Sequence, residues 1–164
     1  MRNFKYKNVF LNSSHRTEVV PLKIDEGEKM KKVFQSLPIT EDSYRAEKTI
    51  LSCFDYRFTK LHRDFFDSQV NDYILVAGGV KQLASPEKEE DAMFILRQID
   101  ASLRLHRSEK ITVIAHNGCG AYGGVIDREF YMDELKRAAE ILERRFCLLV
   151  EKIFMDLDGG IYQV

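Results

Sequence analysis

The chain has 164 residues, 45% of them hydrophobic and 31% charged, with a formal net charge of -1. That length suits one domain able to bury its own core, and the balance excludes disordered, collagen-like and low-complexity classes. Without a basic excess to hold a phosphate backbone, nucleic acid is not an expected partner.

Apolar runs such as Ile111–Ala115 fall far short of the roughly 20 residues that a membrane span needs. The basic start Met1–Lys7 leads only into Val9-Phe10-Leu11, too short for a secretory signal. The three cysteines, Cys53, Cys119 and Cys147, cannot all pair within one chain. The expectation is a cytoplasmic protein in a reducing compartment, with thiols that do something other than staple.

In chain order, Thr17–Ile24 is β-rich but carries Pro21, which predicts an edge strand or an irregular arm. Asp25–Leu37 predicts a short polar helix ended by Pro38. Three short apolar runs follow, each entering an unusual loop. Thr49–Ser52 runs into Cys53-Phe54-Asp55-Tyr56-Arg57, Tyr73–Ala77 into Gly78-Gly79, and Ile111–Ala115 into His116-Asn117-Gly118-Cys119-Gly120. Near-continuous apolar runs of this length predict strands buried on both faces of a parallel sheet.

Helical spacing marks Leu61–Val70, Glu87–Arg107 behind Ser85-Pro86, and Glu129–Phe146. The acidic stretch Glu87–Asp91 reads as the solvated start of a helix. Cys147–Leu157 predicts a last strand, with Cys147 in the core, closed by Asp158-Gly159-Gly160. His15, His62 and His106 have no ligand-spaced partners and read as surface or boundary residues. The alternation gives an α/β fold, a mostly parallel central β-sheet flanked by helices, in a single domain spanning residues 1–164.

In such sheets ligands collect at the carboxyl ends of the strands, where the three loops should converge if their strands are neighbours. Cys53, His116 and Cys119 then offer two thiolates and an imidazole, a donor set that suits zinc and leaves a fourth position open. On spacing alone, buried structural cysteines explain the same residues. If the strand continues past Cys53, then Cys53, Asp55 and Arg57 alternate onto one face. Arg57 could hold the Asp55 carboxylate in a bidentate fork beside the metal, although a plain surface ion pair fits the spacing equally. Cys53 and Arg57 do not make the Cys-x5-Arg loop of cysteine phosphatases, and Asn117–Ala121 lacks the leading glycine of a nucleophile elbow.

Cys53-Phe54-Asp55-Tyr56-Arg57 followed by His116-Asn117-Gly118-Cys119-Gly120 resembles the paired Cys-x-Asp-x-Arg and His-x-x-Cys-Gly motifs of the β-class carbonic anhydrases. Ala77-Gly78-Gly79 sits where that family has its Ala-Gly turn, and Phe154–Gly160 looks like its last strand and hairpin. Leu75-Val76 departs from the Arg-Asn pair of many members. The resemblance implies one Zn2+ per chain held by Cys53, His116 and Cys119, with Asp55 and Arg57 as a catalytic dyad. It implies reversible hydration of CO2 to bicarbonate by a zinc-bound hydroxide, in a homodimer or larger assembly whose N-terminal arm, residues 1–37 here, lies at the subunit interface. Two alternatives go with it. Asp55 as a fourth ligand would close the site in a non-catalytic binding or regulatory protein, and relatives on this fold hydrolyse carbonyl sulfide or carbon disulfide.

Overall fold

A computed structural model of the protein describes residues 44–66 and 68–164. The strand expected over Thr17–Ile24, the helix over Asp25–Leu37, the arm 1–37 and His15 lie outside the described residues.

Strand β1 (Lys48–Cys53) is buried at every residue after Lys48, and β3 (Ile111–His116) is buried throughout. Both therefore need cover on two faces, and helices supply it. One face stacks Leu51, Val113 and Phe154 against Ile95 and Ile99 of α3 (Glu89–Leu105) and Leu135 of α4 (Arg128–Phe146). The alternate residues Ile50, Ile114 and Ile153 pack with Phe58 and Phe66 of α1 (Tyr56–Phe66). This is the two-residue alternation of a strand carried through a whole sheet.

The five-stranded sheet runs β2-β1-β3-β4-β5, with β2 at Asn71–Val76, β4 at Val150–Met155 and β5 at Ile161–Gln163. All neighbours are parallel except β4 and β5, which form the closing hairpin. The fold is the expected α/β sheet. A one-turn helix α2 (Lys81–Ala84), not expected, follows the Gly78-Gly79 turn. Asp127 caps α4, its side chain accepting from Glu129 N and Phe130 N, an arrangement typically worth about 0.5–2 kcal/mol.

Several expectations are corrected. The edge strand β2 is not buried on both faces: Tyr73 and Leu75 are exposed. Helix α1 begins at Tyr56 rather than Leu61, so Phe58, His62 and Phe66 share one buried stripe. His62 is therefore buried, hydrogen-bonded to Ser52 Oγ at 3.0 Å, and not the surface or boundary residue expected. Cys147 is exposed and not in the core. It leaves α4 with a left-handed φ of 54°, its N–H on Glu143 O, and the strand starts only at Val150.

The ladder between β1 and β3 stops early. It pairs Thr49 with Ile111 through Leu51 with Val113, whereas β1 stays paired with β2 to Cys53 and β3 with β4 to His116. The carboxyl ends of β1 and β3 thus part from each other, at the point where the strand order reverses. Gly79 wedges against this end of β1. Its φ is +52°, and a Cβ there would lie 2.7 Å from both Cys53 N and Ser52 C. Gly79→Ala should cost about 1–3 kcal/mol, from backbone displacement and the left-handed conformation together. Gly120→Ala, with open space at its Cβ, should change little. Urea unfolding midpoints of the two variants check this.

Candidate metal centre

Cys53 ends β1, His116 ends β3, and Cys119 stands just before a single 3-10 turn at Gly120–Tyr122. Their donor atoms lie within 4.8 Å of one another, and all three residues are buried. The two sulfurs are 3.9 Å apart. The sequence-predicted donors therefore converge.

The imidazole is preset as a donor. His116 Nδ1 lies 3.0 Å from the backbone carbonyl of Asn117, which can only accept, so Nδ1 carries the proton. Nε2 is left with its lone pair, buried and without a hydrogen-bond partner. An orphaned buried acceptor costs stability unless something fills the space it faces. The ring also stacks at 4.3 Å on Phe58, which fixes its plane.

The thiols behave as a linked pair. The Cys119 S–H holds Cys53 well below the usual thiol range; burial opposes this, and the backbone N–H groups at Gly78 and Asp55 assist. Cys119 is pushed up in turn by Cys53 and by burial. Two thiols competing for one proton at such a distance make a pocket that a divalent cation would relieve, since the thiolate is the ligating form. An unpaired buried nitrogen and two facing sulfurs fit a soft-to-borderline metal such as zinc.

Asp55 and Arg57 adjoin this pocket, by a route other than strand alternation. The strand ends at Cys53, and Asp55 occupies the turn into α1, accepting from Arg57 N at 3.0 Å. Arg57 Nε and Nη2 then grip its two carboxylate oxygens at 3.0 and 2.6 Å. A helix start, not a pleat, makes the pair. Arg57 lowers the Asp55 pKa to about 2, against the opposing effect of burial. The pairing therefore stabilises the fold above the unfolded carboxylate value of about 3.9 and loses that effect as pH falls toward 2. Asp55 Oδ2 stands 3.9 Å from His116 Nε2.

The Cys119 loop has anchors that the sequence reading missed. The buried Tyr131 hydroxyl accepts from Cys119 N at 3.1 Å and donates to Val125 O at 2.9 Å. Tyr122 and Ser85 both donate at 2.6 Å to the buried carboxylate of Glu134. Arg57 Nη2 reaches across to Gly118 O at 2.8 Å. No local pattern marks Tyr131 or Glu134, because the partners that join them to the Cys119 loop and to Ser85 lie off their own helix. A cleft of about 530 Å³ opens on this centre, lined by Cys53, Asp55, Ala77, Gly78, Gly120 and Ala121 among others. No helix among the described residues is long and apolar enough to cross a membrane.

The fold is similar to that of β-carbonic anhydrase isoform I from Trichomonas vaginalis, with a TM-score of 0.56 and 12% identity over 78% of this chain and 87% of that one. A carbonic anhydrase from Glaciozyma antarctica gives a TM-score of 0.51 and 17% identity over 78% and 85% of the two chains. The apo form of a carbon disulfide hydrolase gives 0.51 and 13% identity over 73% and 80%. No curated protein sequence matches the chain. The family model described as "Putative carbonic anhydrase" matches residues 43–164, the stretch that carries both motifs and the whole sheet, and the chain belongs to that family.

Proposed function

We propose that the protein is a zinc enzyme that interconverts CO2 and bicarbonate. The observation that carries this reading is the convergence of two thiols and a lone-pair-bearing imidazole beside a carboxylate already locked by a guanidinium. Cys53, Cys119 and His116 Nε2 would hold the metal. When bound, zinc supplies a Lewis acid that makes hydroxide available as a nucleophile near neutral pH.

The chain's own residues then do three things. Asp55, ionised down to about pH 2, accepts a hydrogen bond from the nucleophile and turns its lone pair toward the carbon of CO2. So acidic a carboxylate does not keep the proton released by hydration, which leaves for solvent through the open cleft. Arg57 holds both oxygens of Asp55, which favours an open site over one closed by carboxylate ligation. The apolar side chains exposed around β2, among them Phe54, Tyr56 and Leu75, support assembly of two or more copies.

One observation favours a second substrate. Phe54, Tyr73 and Leu75 line a mainly apolar pocket of about 170 Å³ that reaches Cys53, with Thr59, His62 and Arg63 completing its wall. Such a wall suits carbon disulfide or carbonyl sulfide as well as CO2. Sulfide release from these compounds, set beside CO2 hydration by the same preparation, ranks the substrates.

Metal analysis should find one zinc per chain, lost in Cys53→Ala, His116→Ala and Cys119→Ala and retained in Cys147→Ser. Stopped-flow CO2 hydration should exceed the buffer rate from neutral to mildly alkaline pH; zinc-loaded protein without such a rate would overturn the proposal.

The dyad gives a separate test. Asp55→Ala should keep its zinc and slow hydration roughly 10²-fold, because nothing orients the nucleophile. Arg57→Ala should also keep the metal but free Asp55 to ligate it, and a crystal structure of the variant would show the carboxylate in the fourth position. Wild-type rates in both variants would reduce the pair to a surface salt bridge.

A further inference from the structure

Arg57 does not end at Asp55. Its second contact is the carbonyl of Gly118, in the turn between His116 and Cys119. That carbonyl is aimed by a chain of bonds that begins on another strand. Gly118 has φ +65°, and its N–H is shared between Val125 O at 2.9 Å and Asn117 Oδ1 at 3.2 Å. The Asn117 amide is buried, and its other end donates to Asp156 Oδ1 at 2.9 Å. With a backbone N–H on its oxygen and a carboxylate on its nitrogen, the amide has only one workable orientation. The Asn117 main chain is held as well, its N–H on Met155 O at 3.0 Å.

Asp156 follows directly after β4 and is 6% exposed. Its Oδ1 also accepts from Leu157 N at 2.7 Å, and its Oδ2 takes the guanidinium of Arg128 at the start of α4. Three donors on two oxygens need a carboxylate; a neutral amide has one acceptor and would present its own N–H2 to Arg128. Burial alone would raise the Asp156 pKa, yet the bonds from Asn117, Leu157 and Arg128 keep it below the ordinary carboxylate range. A buried charge with this many partners is costly to disturb.

We propose that Asp156 is a positioning residue for the Asp55–Arg57 dyad, acting through Asn117 and the Gly118 carbonyl. The relay runs from the end of β4, across the loop after β3, to the turn after β1. Its kinetic consequence rests on the carbonic anhydrase reading, whereas its geometric consequence does not.

Two readouts on the full zinc-loaded chain test it. In Asp156→Asn, solvent exchange of the Arg57 Nε proton, followed by NMR, should speed up by roughly tenfold as the Gly118 carbonyl loses its aim. Zinc content should stay at the wild-type value, and kcat for CO2 hydration should fall roughly tenfold to a hundredfold with KM little changed. Asn117→Ala removes the middle link without touching the Asp156–Arg128 pair and should reproduce both effects. Asp158→Asn, which changes the exposed partner of Arg128 and the hairpin bonds from Gly160 N and the Tyr162 hydroxyl but leaves Asp156 and Asn117 in place, should reproduce neither. Unchanged Arg57 proton exchange in folded Asp156→Asn or Asn117→Ala overturns the proposal. If the wild-type chain hydrates no CO2, the functional reading fails, and the exchange measurement still decides the relay.

Discussion

The site exists because the β1–β3 ladder stops at Leu51 and Val113 while the outer ladders run on. Two strands that stay hydrogen-bonded to the end leave no room between them for side chains. Here Cys53 and His116 are each held rigidly by one neighbour, β2 or β4, and face the gap between the two central strands. The chain enforces the divergence topologically. After β1 it turns toward α1 on one face, and after β3 it turns toward α4 on the other, so the two exits are driven apart. Gly79 packs against the backbone behind Cys53 and fixes how far β1 can retreat.

Within that gap the chemistry is layered by backbone and side chain in turn. The sulfurs and the imidazole are strand and loop residues held by main-chain hydrogen bonds. The carboxylate beside them is set by the first turn of α1, and its guanidinium partner ties that turn to the opposite loop. Glu134 and Tyr131 fasten the same loop to α4. Each element bordering the gap thus contributes at least one fixed bond, so the donors are preorganised before any ligand arrives.

Much of this was legible in the sequence because the signals are local and periodic. The runs at Thr49–Ser52 and Ile111–Ala115 are short, rich in β-branched residues and bounded by loops, a pattern that favours doubly covered strands, and the helix at Glu89–Leu105 repeats its apolar residues at helical spacing. The donor triad was legible because its three residues sit at the ends of such runs or just past them. The start of α1 was not: Tyr56-Arg57 carries no apolar periodicity of its own, and the helix start shows only in three dimensions, in the bonds to Asp55 and the packing of Phe58 beneath His116. For the same reason Asp55 and Arg57 looked like alternating strand residues. Asp156, Glu134 and Tyr131 were invisible because a buried polar residue is defined by its partners, and the partners that tie these three to the site lie outside their own elements.

The bond from His116 Nδ1 to the Asn117 carbonyl has a consequence for how such a centre tolerates change. The group that dictates the tautomer belongs to the main chain, and every residue type supplies it. No side-chain substitution can delete that acceptor, so the protonation pattern of the imidazole is inherited with the turn itself. Sequence drift around the turn can retune shape, polarity and substrate access without switching off the nitrogen that faces the pocket.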